Sequence, residues 1–173
     1  MNQKRISVLS IIFILAMVII LAGTVPAAAR AEKIPFTGED CPETVGLAEK
    51  QWVSGGVLHQ RGVPMFNTLE YDPAFLTGTA NLMANFDIDQ ATGAVHAYGS
   101  IEIQPDGVEG TWVGRFSTHV SAEGVVNGNA VVHGTGELEG MMAFNNVSSP
   151  AAPDPACNGM NTSSNGYILI THE

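Results

Sequence analysis

The chain has 173 residues, 45% of them hydrophobic and only 14% charged, which is too apolar for a disordered acidic chain and suits one domain once a leader is set aside. Beyond residue 31 all 17 acids remain against four basic residues, Lys33, Lys50, Arg61 and Arg115, a formal charge of −13. Such a surface repels phosphate backbones and anionic headgroups, so nucleic acid is excluded as an expected partner. Eighteen of the 19 glycines also follow residue 31, and helix interiors tolerate glycine poorly, so the expected product is a compact, acidic, β-rich domain.

Residues 1–31 read as a signal peptide. Lys4 and Arg5 precede the apolar run Ile6 to Val25, Pro26 breaks it, and Ala29-Arg30-Ala31 offers the small–x–small pattern of a cleavage site before Glu32. About 20 apolar residues can also span a bilayer as a retained anchor, but the break at Pro26 favours cleavage. Thr24 rather than cysteine follows Leu21-Ala22-Gly23, which argues against a lipid anchor. The expectation is a secreted, extracellular or periplasmic protein, with no membrane partner once the signal is removed. Cys41 and Cys157 are the only cysteines, and in an oxidising compartment such a pair joins as a disulfide. The alternatives are free thiols or a metal site, and no second cysteine stands near either one to help hold zinc.

Residues 32–49 carry Pro35, Gly38 and Pro42 and read as an N-terminal arm, irregular or with a short helix at Thr44–Lys50. From Gln51 the period becomes two. Leu76 to Ile88 alternates inward Ala80, Leu82, Ala84, Phe86 and Ile88 with outward Asn81, Met83, Asn85 and Asp87, the mark of a strand with one buried face. The next strand buries Val95, Ala97, Gly99, Ile101 and Ile103; the one after it buries Trp112, Gly114, Phe116, Thr118 and Val120; a fourth continues with Val126, Gly128, Ala130, Val132 and Gly134. Turns lie at 89–93, 105–107 and 122–124. Weaker strands at 51–61, 63–70, 137–144 and 167–172 bring the total to about eight, and 145–165 reads as a loop without period. The predicted fold class is all-β: a single antiparallel barrel over residues 50–173, which leaves no exposed sheet edge, with a sandwich as the second choice.

Three glycine-rich stretches carry a resemblance. Gly93 and Gly99, Gly110-Thr111-Trp112-Val113-Gly114-Arg115-Phe116 and His133-Gly134-Thr135-Gly136-Glu137-Leu138-Glu139-Gly140-Met141 resemble the allene oxide cyclase barrel-like superfamily, eight-stranded barrels related in shape to dirigent proteins and calycins. Gly56-Val57-Leu58-His59-Gln60-Arg61-Gly62 is similar to a segment of exported bacterial members. The resemblance implies the barrel, and it implies an isomerase or cyclase acting on an apolar substrate in the lumen only if a polar group stands inside.

Hairpin registers with partner numbers summing to 183, 213 and 246 place inward residues opposite inward residues along four strands. They set Gly99 and Gly114 side by side between Ala84 and Val132, a band with almost no side chains. The expected ligand-binding interior is Leu82, Ala84, Phe86, Gly99, Ile101, Trp112, Gly114, Phe116 and Val132, either open to a small apolar ligand or filled by the remaining strands. No ionisable residue faces inward on these four strands, and general acid–base chemistry needs one within hydrogen-bond reach of a substrate. His59 and Arg61, at i and i+2, are the catalytic candidates, or else an exterior pair bridging to a surface acid. Glu70 and Tyr167 are candidate rim residues. His96, opposite Asp87 or Asn85 and diagonal to His119, lacks a firm third ligand, so no metal is expected. No phosphate, calcium or nucleophile-elbow motif is present, and no cofactor is expected. Three readings follow: a binding barrel for a small apolar ligand, a cyclase-like isomerase, and a structural barrel with a filled interior.

Overall fold

The computed structural model describes residues 31–150, 154–157 and 161–171. The leader reading of residues 1–31 therefore falls almost wholly outside the described residues. Nine strands form one antiparallel sheet: β1 (Glu32–Val45), β2 (Lys50–Ser54), β3 (Val57–Asp72), β4 (Gly78–Asp89), β5 (Val95–Pro105), β6 (Trp112–Val120), β7 (Val126–Gly134), β8 (Met141–Ser148) and β9 (Thr162–Ile170). Strands β3 to β9 follow one another as neighbours, and β1 pairs with both β9 and β3, so eight strands close a barrel. The short β2 is an extra strand beside the far half of β3, from Lys50 opposite Arg61 to Ser54 opposite Val57. The ladder that leaves β3 at Tyr71 and passes Gly38, Ser164, Val147, Gly128, Thr118, Ala97 and Phe86 returns to β3 at Gln60. That stagger is the strand tilt a closed barrel requires.

Residues 32–45 are not the irregular arm or helix that their prolines suggest; they are the closing strand. Pro35 pairs only with β9, opposite Tyr167, and Pro42 only with β3, opposite Asn67. Between them, Thr37 to Asp40 has partners on both sides. Each proline thus sits where β1 has one neighbour, the condition under which a strand tolerates a missing donor. Past Pro42 the register slips, and β1 runs on to Val45 opposite Met65. The last two strands also differ in extent from their predicted ranges. Glycine at Gly136 starts a 3-10 turn ending at Leu138, so β8 starts late and reaches Ser148, while β9 starts at Thr162 inside the segment read as loop.

β3 holds a bulge between Gln60 and Val63, with Gly62 at φ +67°. The extra residue switches which side chains face inward: Val63 and Met65 point in on one side, and Leu58 and Gln60, opposite Ile88 and Phe86, on the other. Cys41 and Cys157 form the disulfide, Cα atoms 5.2 Å apart across 116 residues of sequence, and tie β1 to the turn before β9. The bond places the barrel in an oxidising compartment. Among the described residues no helix is long and apolar enough to cross a membrane.

The interior is packed at one level. Trp112, Leu76, Leu138, Ile103 and Ile168 join Phe36, Leu69 and Tyr71 in one cluster, with Trp112 fully buried. The glycines do not form the expected band. Strands β4 and β5 pair at the expected register, Ala84 opposite Gly99, and so do β6 and β7, Trp112 opposite Gly134. Between β5 and β6, however, the register lies two residues from expectation: Gly99 faces Phe116 and Ile101 faces Gly114. Each of these glycines is therefore set against a bulky inward neighbour. The tightly coiled sheet explains them, because a Cβ on Gly114 would overlap the carbonyl oxygen of Val131, and one on Gly99 that of Met83.

Gly114→Ala is accordingly expected to destabilise the barrel by about 1–3 kcal/mol or more, as overpacking against backbone does. Urea unfolding measures it, and an unchanged midpoint would show that the strands have room to part.

Candidate functional site

The lumen keeps a cavity of about 170 Å³ beside the packed cluster. Of the residues expected to line it, Leu82, Phe86, Ile101, Phe116 and Val132 do so. Ala84 and Trp112 are fully buried but outside its lining, and the half-buried Gly99 and Gly114, which the register sets opposite Phe116 and Ile101, lie outside it too. Met65, Leu69, Leu76, Ala97, Ala130 and Ala143 complete most of the apolar wall. The small Ala97 and Ala130 face large Phe86 and Phe116 across their ladders, and this alternation leaves the space.

One side of the wall is polar, and it comes from the strands that the sequence left weakest. Asp40 on β1, Tyr71 on β3, Asn145 on β8, and Thr162 and Ser164 on β9 form a directed network. The Tyr71 hydroxyl donates to Asp40 Oδ1 at 2.5 Å, and the hydroxyls of Ser164 and Thr162 donate to Oδ2 at 2.9 and 3.4 Å. The Asn145 amide then donates to Tyr71 Oη at 3.2 Å and to Ser164 Oγ at 3.1 Å. Closing the barrel through β1 brings these groups together, since Asp40 stands opposite both Leu69 and Thr162. Loss of water around Asp40 raises its pKa above the ordinary 3.8, against the pull of its three hydroxyl donors. The same desolvation, followed by the repulsion of Asp40, pushes the Tyr71 phenol up and keeps it a donor. The lumen thus contains an ionisable carboxyl that the inner faces of β4 to β7 lack. Its signal was the even-numbered alternation Ile34, Phe36, Gly38, Asp40, Pro42, hidden by the two prolines.

The catalytic candidates His59 and Arg61 lie outside the barrel. His59 Nδ1 is 2.7 Å from Asp87 Oδ1, and Arg61 Nη2 donates to the same oxygen at 2.6 Å. Partial burial raises the Asp87 pKa, but the hydrogen bonds from His59 and Arg61 and the charge of Arg61 outweigh it, so the carboxyl sits below its usual range. Arg61 Nη1 also donates to the carbonyl oxygens of Gln60 and Phe86, each at 2.8 Å. It thereby replaces the ladder bonds lost at the bulge. His59 stacks on Trp52, with ring centres 5.0 Å apart. This is the exterior pair on a surface acid, and it serves to hold β2, β3 and β4 together.

The rim candidates also face outward. Glu70 is exposed, and Tyr167 stacks on Phe144 beneath the Lys33 ammonium. His96 lies directly opposite His119, not diagonal to it, with ring centres 6.3 Å apart, and Ser117 Oγ is 3.1 Å from His96 Nε2. Among the described residues no three His, Cys, Asp or Glu side chains cluster as metal ligands would. In comparisons with known proteins, no family model matches the chain, and no curated protein matches it either.

The raised pKa of Asp40 sets a sign for stability. In the window from about 3.8 up to its raised value the folded protein holds a proton that the unfolded chain has released, so ionising Asp40 weakens the fold as pH rises through that window. Melting curves should therefore show the wild type gaining on Asp40→Asn as pH falls from neutral toward the ordinary carboxylate range. A gap between the two proteins that is constant with pH would contradict the shift.

Proposed function

We propose that the protein is an exported barrel that binds a small apolar ligand in its lumen. The observation that carries this is the cavity itself: about 170 Å³, walled by Phe86, Phe116, Leu82, Ile101 and Val132, beside the packed cluster around Trp112. An apolar cavity of about 150 Å³ is enough to take up a benzene-sized ring. The resemblance to the allene oxide cyclase barrel-like superfamily agrees with a lumenal site, and the disulfide agrees with export.

The second reading, an isomerase of the cyclase kind, is favoured by Asp40. It stands in the cavity lining with a raised proton affinity, so it meets the requirement for a titratable group beside a bound molecule. A filled structural barrel has less support, because the lumen retains its space.

Calorimetric titration with benzene tests the binding reading, with Ala97→Leu as the paired variant. Ala97 lines the cavity, and the added carbons occupy it without a polar group. The wild type should bind the probe, and Ala97→Leu should lose most of that affinity while melting no lower than the wild type. A wild type that binds no probe, together with an Ala97→Leu variant destabilised by overpacking, would leave the structural barrel standing.

A further inference from the structure

We infer that the lumen selects an uncharged monocyclic ligand bearing a hydrogen-bond donor, a small phenol or alicyclic alcohol, and rejects carboxylates. This rests on the lumenal binding proposed above and specifies its chemistry.

Asp40 can only accept from Tyr71, Ser164 and Thr162 while it is ionised, so those three hydroxyl protons are committed to it. Tyr71 Oη and Ser164 Oγ are then left as acceptors, and the two N–H groups of Asn145 fill them. This chain of donations fixes the orientation of the Asn145 amide, because turning it over would set its oxygen against two oxygens whose protons already point elsewhere. Asn145 Oδ1 is thereby presented as an acceptor. It is shut away from solvent and accepts nothing from the protein, and Asn67 Oδ1, from the same cavity wall, is in the same position.

Unmet acceptors in an apolar enclosure are costly, and a ligand that supplies the proton recovers that cost. A carboxylate brings the wrong partner. It would bring a second negative charge beside Asp40, where the donors are already engaged, leaving the Thr118 hydroxyl as the main one along the wall. An ammonium would have to shed its water for two amide oxygens and for Asp40, whose oxygens already accept from three hydroxyls. Size sets the other limit, since about 170 Å³ holds one ring.

Four probes of one ring each decide the matter by calorimetric titration of the disulfide-bonded protein: phenol, benzene, anisole and benzoate. Phenol should bind about tenfold tighter than benzene or anisole, which lack the donor, and benzoate should give no detectable binding. In Asn145→Leu the phenol advantage should shrink to about threefold or less while benzene still binds, which also shows that the variant is folded. Equal affinity for phenol and benzene, benzoate binding on a par with phenol, or an unchanged phenol advantage in Asn145→Leu would each overturn this inference and leave lumenal binding intact. Failure of all four probes would overturn the lumenal site and this inference with it.

Discussion

The structure depends on a four-residue stretch of β1, Thr37 to Asp40, that hydrogen-bonds to β3 on one side and β9 on the other. Without it, the remaining strands make an open, twisted sheet whose edges, β9 and the half of β3 that β2 does not cover, are exposed to pairing with other chains. With it, the sheet has no edge over that stretch, and the inner face of β1 is delivered into the lumen. Asp40 reaches its hydroxyl partners only because β1 stands between Tyr71 on one neighbour and Ser164 and Thr162 on the other. The Cys41–Cys157 bond lies next to this stretch, so the covalent tie and the closing hydrogen bonds reinforce the same seam.

The glycines answer a different constraint. A small barrel coils its strands so sharply that an inward Cβ at certain positions meets the neighbouring backbone, as at Gly99 and Gly114. The bulky residues opposite them, Phe116 and Ile101, then occupy the inner face in their stead. Space in the lumen is therefore set by the alanines at positions 97, 130 and 143, whose Cβ atoms fit but whose side chains stop short. Small residues serve two purposes here: glycine lets the wall bend, and alanine leaves the cavity.

Much of this was legible in the chain. The alternation in residues 76–136 gave four strands and their inward faces, since period two follows from the pleat alone. The disulfide followed from having two cysteines in an oxidising setting. The register between β5 and β6 was not fixed by alternation, because a shift of two residues keeps every side chain on its own face; the length of the turn from Pro105 to Thr111 decides it, and that turn has no standard form. β1 was hidden because Pro35 and Pro42 look like strand breakers until the one-sided pairing at each is known. The polar pole was lost with it: Asp40, Tyr71, Asn145 and Ser164 come from four strands that sequence patterning described poorly or not at all. His59 and Arg61 drew notice by spacing, yet the bulge at Gly62 turns that part of β3 so that the pair faces Asp87 outside.

The proposed binding sets a small molecule in the lumen in one orientation, ring against Phe86 and Phe116 and polar atom toward Asn145. The most direct measurement is a crystal structure of the barrel soaked with 4-bromophenol, read by the anomalous signal of bromine. One bromine site is expected in the lumen against the Phe116–Ala130 wall, with the phenol oxygen at hydrogen-bond distance from Asn145 Oδ1. A lumen filled by its own side chains, or bromine found only on the outer surface, would contradict it.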